Sequence, residues 1–216
     1  MTATLVKICG LRTEAAIDAA LDGGADYVGF VFFPPSPRNL TPEAAAKLTA
    51  RARGRARIVA LLVDPDDALI EHVIAAANPD MLQLHGDEAS ERVRAIRQRF
   101  GKPVIKAVKV KAQADVAEAG RYDGTADLIL FDARPPAGAD RPGGHGATFD
   151  WSILQGAAHP YMLSGGLTPD NVAEAIRSTG TRMVDVSSGV ERAPGEKDTA
   201  LIRRFLAAAK GAKQGA

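Results

Sequence analysis

The one cysteine of this 216-residue chain, Cys9, closes a short apolar segment, Leu5-Val6-Lys7-Ile8-Cys9-Gly10, and Asp132 closes another, Leu128-Ile129-Leu130-Phe131-Asp132. A thiol and a carboxyl at the carboxyl ends of two strands form a base and acid pair if the fold brings those ends together. Each residue also has a structural use, and a free cysteine is most often a small buried hydrophobe. An aspartic acid of ordinary pKa is protonated in only about 0.1% of molecules at neutral pH, so an acid role for Asp132 needs desolvation or nearby negative charge. A thiol is ionised to only a few per cent at pH 7, and Lys7 is expected to lower its pKa if the ammonium faces the sulfur.

Positioning these groups requires strands, and short apolar runs of strand length alternate with longer stretches of helical spacing. The strand candidates are residues 5–9, 27–33, 57–63, 81–85, 103–108, 127–132, 161–164 and 183–187. Helical stretches lie near 13–22, 42–53, 66–77, 88–100, 112–119, 150–156, 169–178 and 198–209. Thr41-Pro42-Glu43 and Thr168-Pro169-Asp170 each place a capping hydroxyl before a proline, and Asp64-Pro65-Asp66 reads the same way. Eight right-handed β-α units close into a (β/α)8 TIM barrel, one domain over 1–216 with a fraying tail at 210–216. An open doubly wound sheet is the alternative, but Cys9-Gly10-Leu11-Arg12-Thr13 is not a dinucleotide fingerprint. Strand alternation puts Lys7 with Cys9, Gln83 with His85, and Asp185 with Ser187 on common faces. With Lys106 and Asp132 they are expected to form a polar layer at one end of the barrel. Unpaired burial is costly, so Asp185 is expected to pair with a lysine. Lys7, Lys106 and Asp185 also fit a supporting ion network, and His85 a structural hydrogen bond.

Two connections are long, 34–40 with three prolines and Arg38, and 133–148, rich in Gly and Pro; both leave strand carboxyl ends and are candidate substrate loops. Gly165-Gly166 and Ser187-Ser188-Gly189 follow the last two strands, where barrels commonly hold phosphate on backbone N-H groups. His72, His145 and His159 lack the ligand spacing of a metal site, so none is expected. The 27 basic and 26 acidic residues leave a net charge of +1 with no basic run, which disfavours nucleic acid as a partner and favours a small molecule. No leader is expected before Leu5, and the longest apolar runs fall far short of a membrane span. A lone thiol suggests a reducing compartment, with cytoplasm the default. With no obvious exposed apolar stripe, a monomer is expected.

The motifs Lys7-Ile8-Cys9-Gly10, Gly29-Phe30-Val31-Phe32, Ser36-Pro37-Arg38, Gln83-Leu84-His85-Gly86, Asp132 before its Gly-rich loop, Phe149-Asp150-Trp151, Ser164-Gly165-Gly166-Leu167 and Asp185-Val186-Ser187-Ser188-Gly189-Val190-Glu191 stand in an order that closely resembles the phosphoribosylanthranilate isomerases of tryptophan biosynthesis. The likeness runs from Val6 to about Phe205, and His145 departs from the small polar residue usual there. The resemblance implies a phosphate-binding barrel that performs an Amadori rearrangement of N-(5-phosphoribosyl)anthranilate with no external cofactor. It implies Asp132 as general acid and Cys9 as general base, with Lys7 supporting. It further implies Arg38 on the anthranilate carboxylate, Gln83, His85 and Asp185 toward the substrate, and Gly165, Gly166, Ser187, Ser188 and Gly189 around the phosphate. The histidine-pathway sugar isomerase is disfavoured by Cys9 where that family has aspartate, and a metal-dependent epimerase by the missing ligands. A binding protein that has lost catalysis is disfavoured by the presence of both Cys9 and Asp132.

Overall fold

The computed structural model describes residues 4–134, 143–144, 148–155, 157 and 159–212. Eight parallel strands form a closed barrel in sequence order: β1 Leu5–Cys9, β2 Tyr27–Phe32, β3 Arg57–Leu62, β4 Met81–Leu84, β5 Val104–Val110, β6 Leu128–Ala133, β7 Tyr161–Leu163 and β8 Met183–Val186. The ring closes where Lys7 of β1 pairs in register with Asp185 of β8. All six residues of β2 are buried, as expected where one face meets the barrel interior and the other a helix layer. Val59, Met81, Ile105, Leu130 and Met162 fill the interior, and a larger apolar cluster fills the space between barrel and helices.

The helices are α1 Glu14–Asp22, α2 Pro42–Ala52, α3 Asp67–Ala77, α4 Ser90–Phe100, α5 Gln113–Glu118, α6 Val172–Thr179 and α7 Thr199–Gly211. Thr41 caps α2 by accepting from the Ala44 amide, as its sequence suggests. At α3 the cap is Asp66 instead of Asp64, and at α6 it is Asn171 instead of Thr168. Thr168 accepts from the Asp170 amide in a turn that precedes the helix. The helical stretch at 150–156 is a single 3-10 turn, Trp151–Leu154. Gly156 follows it closely, and so short a segment gains too few i to i−4 bonds to propagate an α-helix.

Two further features differ from the sequence reading. Ile105 and Ala107 take the inward positions of β5, so Lys106 points out of the barrel and does not join the polar layer. It lies buried beneath the helix layer, 2.8 Å from Glu88 and over the Tyr122 ring. Beyond β8, an antiparallel hairpin of β9 Glu191–Ala193 and β10 Glu196–Lys197 stands apart from the barrel. α7 runs to Gly211, with Lys210 paired to Asp26 at 2.6 Å, and residues 213–216 lie outside the described ones. Among the described residues no helix is long and apolar enough to cross a membrane.

Candidate active site

Inward positions at the carboxyl end of β1 place Cys9 at the barrel mouth and Lys7 one layer below it. Lys7 Nζ donates to Asp185 Oδ1 at 2.9 Å, and Asp185 Oδ2 accepts from Ser164 Oγ at 3.2 Å, so the buried carboxylate is paired as expected. Glycine at the neighbouring position on β2 keeps the space beside the thiol open: a Cβ on Gly29 would stand 3.0 Å from Cys9 Sγ and 3.3 Å from Lys7 Cε, a tight fit. Burial pushes the Cys9 thiol above its ordinary value; the charges and hydrogen bond of Lys7 and the charge of Lys197 pull it down, while Asp185 adds to the rise. Lys7 therefore acts in the expected direction, but desolvation outweighs it. The Lys7 ammonium, for its part, is held above its usual range because Asp185 and Cys9 together overcome its own desolvation.

Asp132 ends β6 on the same mouth, buried, with Oδ1 accepting from the Ala133 amide at 3.0 Å and Oδ2 lying 3.1 Å from His85 Nε2. Behind the imidazole, Gln83 Nε2 lies 2.9 Å from His85 Nδ1. With that amide donating, a neutral ring carries its proton on Nε2 and presents it to Asp132. Gln83 Oε1 is buried and has no hydrogen-bond partner among the described residues. Gln83 does not line the pocket and stands behind His85. Gly143 covers the pair so closely that a Cβ there would come 2.8 Å from Asp132 Oδ2.

Arg38 comes from the proline-stiffened loop after β2 and is held by a fork: Nε and Nη2 donate to the two oxygens of Glu191, each at 2.7 Å. Glu191 Oε1 also accepts from Lys197 Nζ at 2.7 Å, and Lys197 donates further to the Ser187 carbonyl at 2.9 Å. Ser187 Oγ in turn donates to the Cys9 carbonyl at 3.2 Å. Burial drives Lys197 down to about 8, against the pull of Glu191. Burial would raise Glu191, but Arg38 and Lys197 together hold it below the usual carboxylate range. Sequence reasoning missed Lys197. The available signal was Ala193-Pro194-Gly195-Glu196, a turn whose flanks make Glu191 and Lys197 cross-strand partners.

Gly165 and Gly166 after β7, and Ser187, Ser188 and Gly189 after β8, line the same pocket as Cys9, Arg38, His85, Asp132 and Asp185. Its volume is about 810 Å3, open mouth included. Neither Gly165 nor Gly166 donates its backbone N-H to another described residue, which leaves two donors at the pocket wall. Among the described residues, no three His, Cys, Asp or Glu side chains are grouped to hold a metal ion. Most of the 133–148 connection lies outside the described residues.

Residues 6–208 match the family model of N-(5'-phosphoribosyl)anthranilate isomerase. The isomerase of that name from Bradyrhizobium sp. (strain ORS 278) is 56% identical over 212 residues, covering 97% of each chain. Monomers generated from the dimeric phosphoribosylanthranilate isomerase of Thermotoga maritima superpose with a TM-score of 0.83 at 36% identity, over 96% of this chain and 99% of that one. A phosphoribosylanthranilate isomerase complexed with reduced 1-(o-carboxyphenylamino)-1-deoxyribulose 5-phosphate gives a TM-score of 0.84 at 36% identity, with the same coverage.

Proposed function

Because the chain belongs to the N-(5'-phosphoribosyl)anthranilate isomerase family, enzymes of tryptophan biosynthesis, we propose that its pocket performs an Amadori rearrangement with Asp132 as general acid and Cys9 as general base. The observation that carries this reading is the convergence of both groups, from opposite regions of the chain, on one pocket that also holds Arg38 and the two glycine loops. A ligand of the kind bound by the related isomerase carries an aryl carboxylate and a phosphate. Arg38 suits the first, and the backbone donors at Gly165, Gly166, Ser188 and Gly189, with Ser187 beside them, suit the second.

Asp132 protonates the furanose ring oxygen as the C1-O bond breaks, and the anilino nitrogen lone pair forms the iminium. The Cys9 thiolate then removes the C2 proton, and the C-H electrons flow into an enolamine. A proton added at C1 and the loss of the C2 hydroxyl proton give the ketone. C2 is oxidised and C1 reduced within one molecule, so the electron balance closes without a second redox partner. Lys7 and Asp185 act beneath the thiol: the ammonium favours the thiolate, and Asp185 holds the ammonium while one edge faces the pocket. His85 orients Asp132 through its Nε2 contact with Oδ2, and Gln83 acts through His85.

The test is turnover of phosphoribosylanthranilate generated in situ, in buffer containing a chelator. Cys9→Ala and Asp132→Asn should each slow the reaction by roughly 100-fold to 10,000-fold, the range of a lost proton transfer. Variants that keep the parent rate would overturn the assignment of acid and base.

A further inference from the structure

Arg38 has a difficulty as an anchor for a carboxylate. Its guanidinium is already in a two-pronged pair with Glu191, and both side chains are about 95% buried. An arginine neutralised in this way presents no net charge to an incoming anion, and in a poorly solvated pocket the Glu191 carboxylate would repel it. The structure contains the remedy. Lys197, only 2% exposed, places Nζ 2.7 Å from Glu191 Oε1, so one carboxylate is shared between two cations. Arg38, Glu191 and Lys197 sum to +1.

We propose that Lys197 is a positioning residue that cancels the charge of Glu191, so that Glu191 can orient Arg38 without extinguishing its attraction for the substrate carboxylate. The Glu191–Lys197 hairpin is then a specificity element of the pocket, although Lys197 itself does not line it. The inference rests on the reading of Arg38 as the carboxylate anchor.

The cluster also has a pH signature. The groups facing Lys197 are Glu191 on β9, Arg38 from the loop after β2, and Cys9 on β1, with Ser187 contributing neutral acceptors. Burial brings the Lys197 amine down to about 8, while burial pushes the Cys9 thiol up, toward its neutral form. Above that pH the sum at the anchor falls from +1 to 0, and affinity for the carboxylate falls with it.

The experiment measures the Kd of the reduced product analogue named above and of its counterpart lacking the aryl carboxylate. Lys197→Met should weaken the carboxylate ligand by about 10-fold, the scale of one unscreened charge across a partly wet site, and leave the other unchanged. Removing Glu191 as well, in Glu191→Gln with Lys197→Met, restores the sum to +1 and should recover most of that loss. In the parent, the carboxylate ligand should weaken as pH passes about 8, and Lys197→Arg, which keeps its proton, should abolish that step. A double variant as weak as Lys197→Met, equal losses for both ligands, or a pH step that survives in Lys197→Arg would each overturn the proposal. Arg38→Met separates the two layers: if it weakens both ligands equally, the carboxylate reading of Arg38 has failed, and if it discriminates while Lys197→Met does not, only the charge inference has.

Discussion

Cys9 is pulled in two directions by its surroundings, and burial wins over the lysine beneath it. A base whose pKa is raised is scarce as the thiolate at neutral pH and correspondingly strong when formed. Because the chain has one cysteine, ultraviolet titration of the free enzyme reads it directly. The midpoint is expected above the ordinary thiol value of about 8.5, and Lys7→Met should move it higher still because an attractive charge is lost. A midpoint below 8 would mean that Lys7 prevails over desolvation. The candidate acid and base were legible because each ends an apolar run, and a strand end is where barrels expose chemistry. The direction of the thiol shift was not, because it depends on how completely sulfur is sealed from water. Lys197 lies off the barrel, where strand alternation says nothing, and only the turn at Ala193-Pro194-Gly195-Glu196 points to it.

At the level of elements, alternating apolar runs gave strands whose limits agree with the sequence reading to within two residues, since parallel strands covered on both faces must be nearly continuous in apolar residues. Lys106 shows where that signal stops. A charged residue within a buried strand can face the lumen or the helix layer, and only the alternation set by Ile105 and Ala107 decides for the helix layer. There its ammonium donates to the Gly86 and Ala107 carbonyls, each at 2.9 Å, and pairs with Glu88, tying the turn after β4 to β5. Lys106→Met strands the Glu88 carboxylate in a dry site, at a cost of about 3 to 5 kcal/mol. Urea unfolding measures that loss, while kcat of the folded variant should stay near the parent value. A loss below about 1 kcal/mol would mean that Glu88 finds water or another partner. The hairpin of β9 and β10 has no hydrophobic period to read, because its strands are three and two residues long and are built almost wholly of charged residues.

The whole molecule is a ring, and its pocket draws on both ends of the chain: Cys9 from the first strand, Asp132 from the sixth, and Ser188 and Gly189 from beyond the eighth. The seal across the β1 and β8 seam is α7, whose Phe205 and Leu206 are buried in the outer core. Gly23 after α1 leaves room for it, since a Cβ there would lie 2.5 Å from Leu206 Cδ1. Phe205→Ala should therefore cost about 3 to 5 kcal/mol, read as a lower denaturant midpoint with an unchanged slope. A loss confined to fraying, with the global midpoint intact, would show that the ring holds without its last helix. Oligomeric state is a separate property of the whole. The related Thermotoga maritima isomerase is a dimer, whereas a monomer of 22.6 kDa is the proposal for this chain. Light scattering decides it, and twice that mass would refute it.

The depth of Cys9 also bears on how the enzyme ages. Peroxide attacks thiolates, and a sulfenic acid is normally rescued when a second cysteine in the same protein condenses with it. This chain has no second cysteine, so oxidative damage at position 9 has no internal route of repair. The burial that makes the thiolate scarce for catalysis keeps the same sulfur in its least oxidisable form between turnovers. A scarce thiolate and a protected sulfur are two readings of one buried thiol.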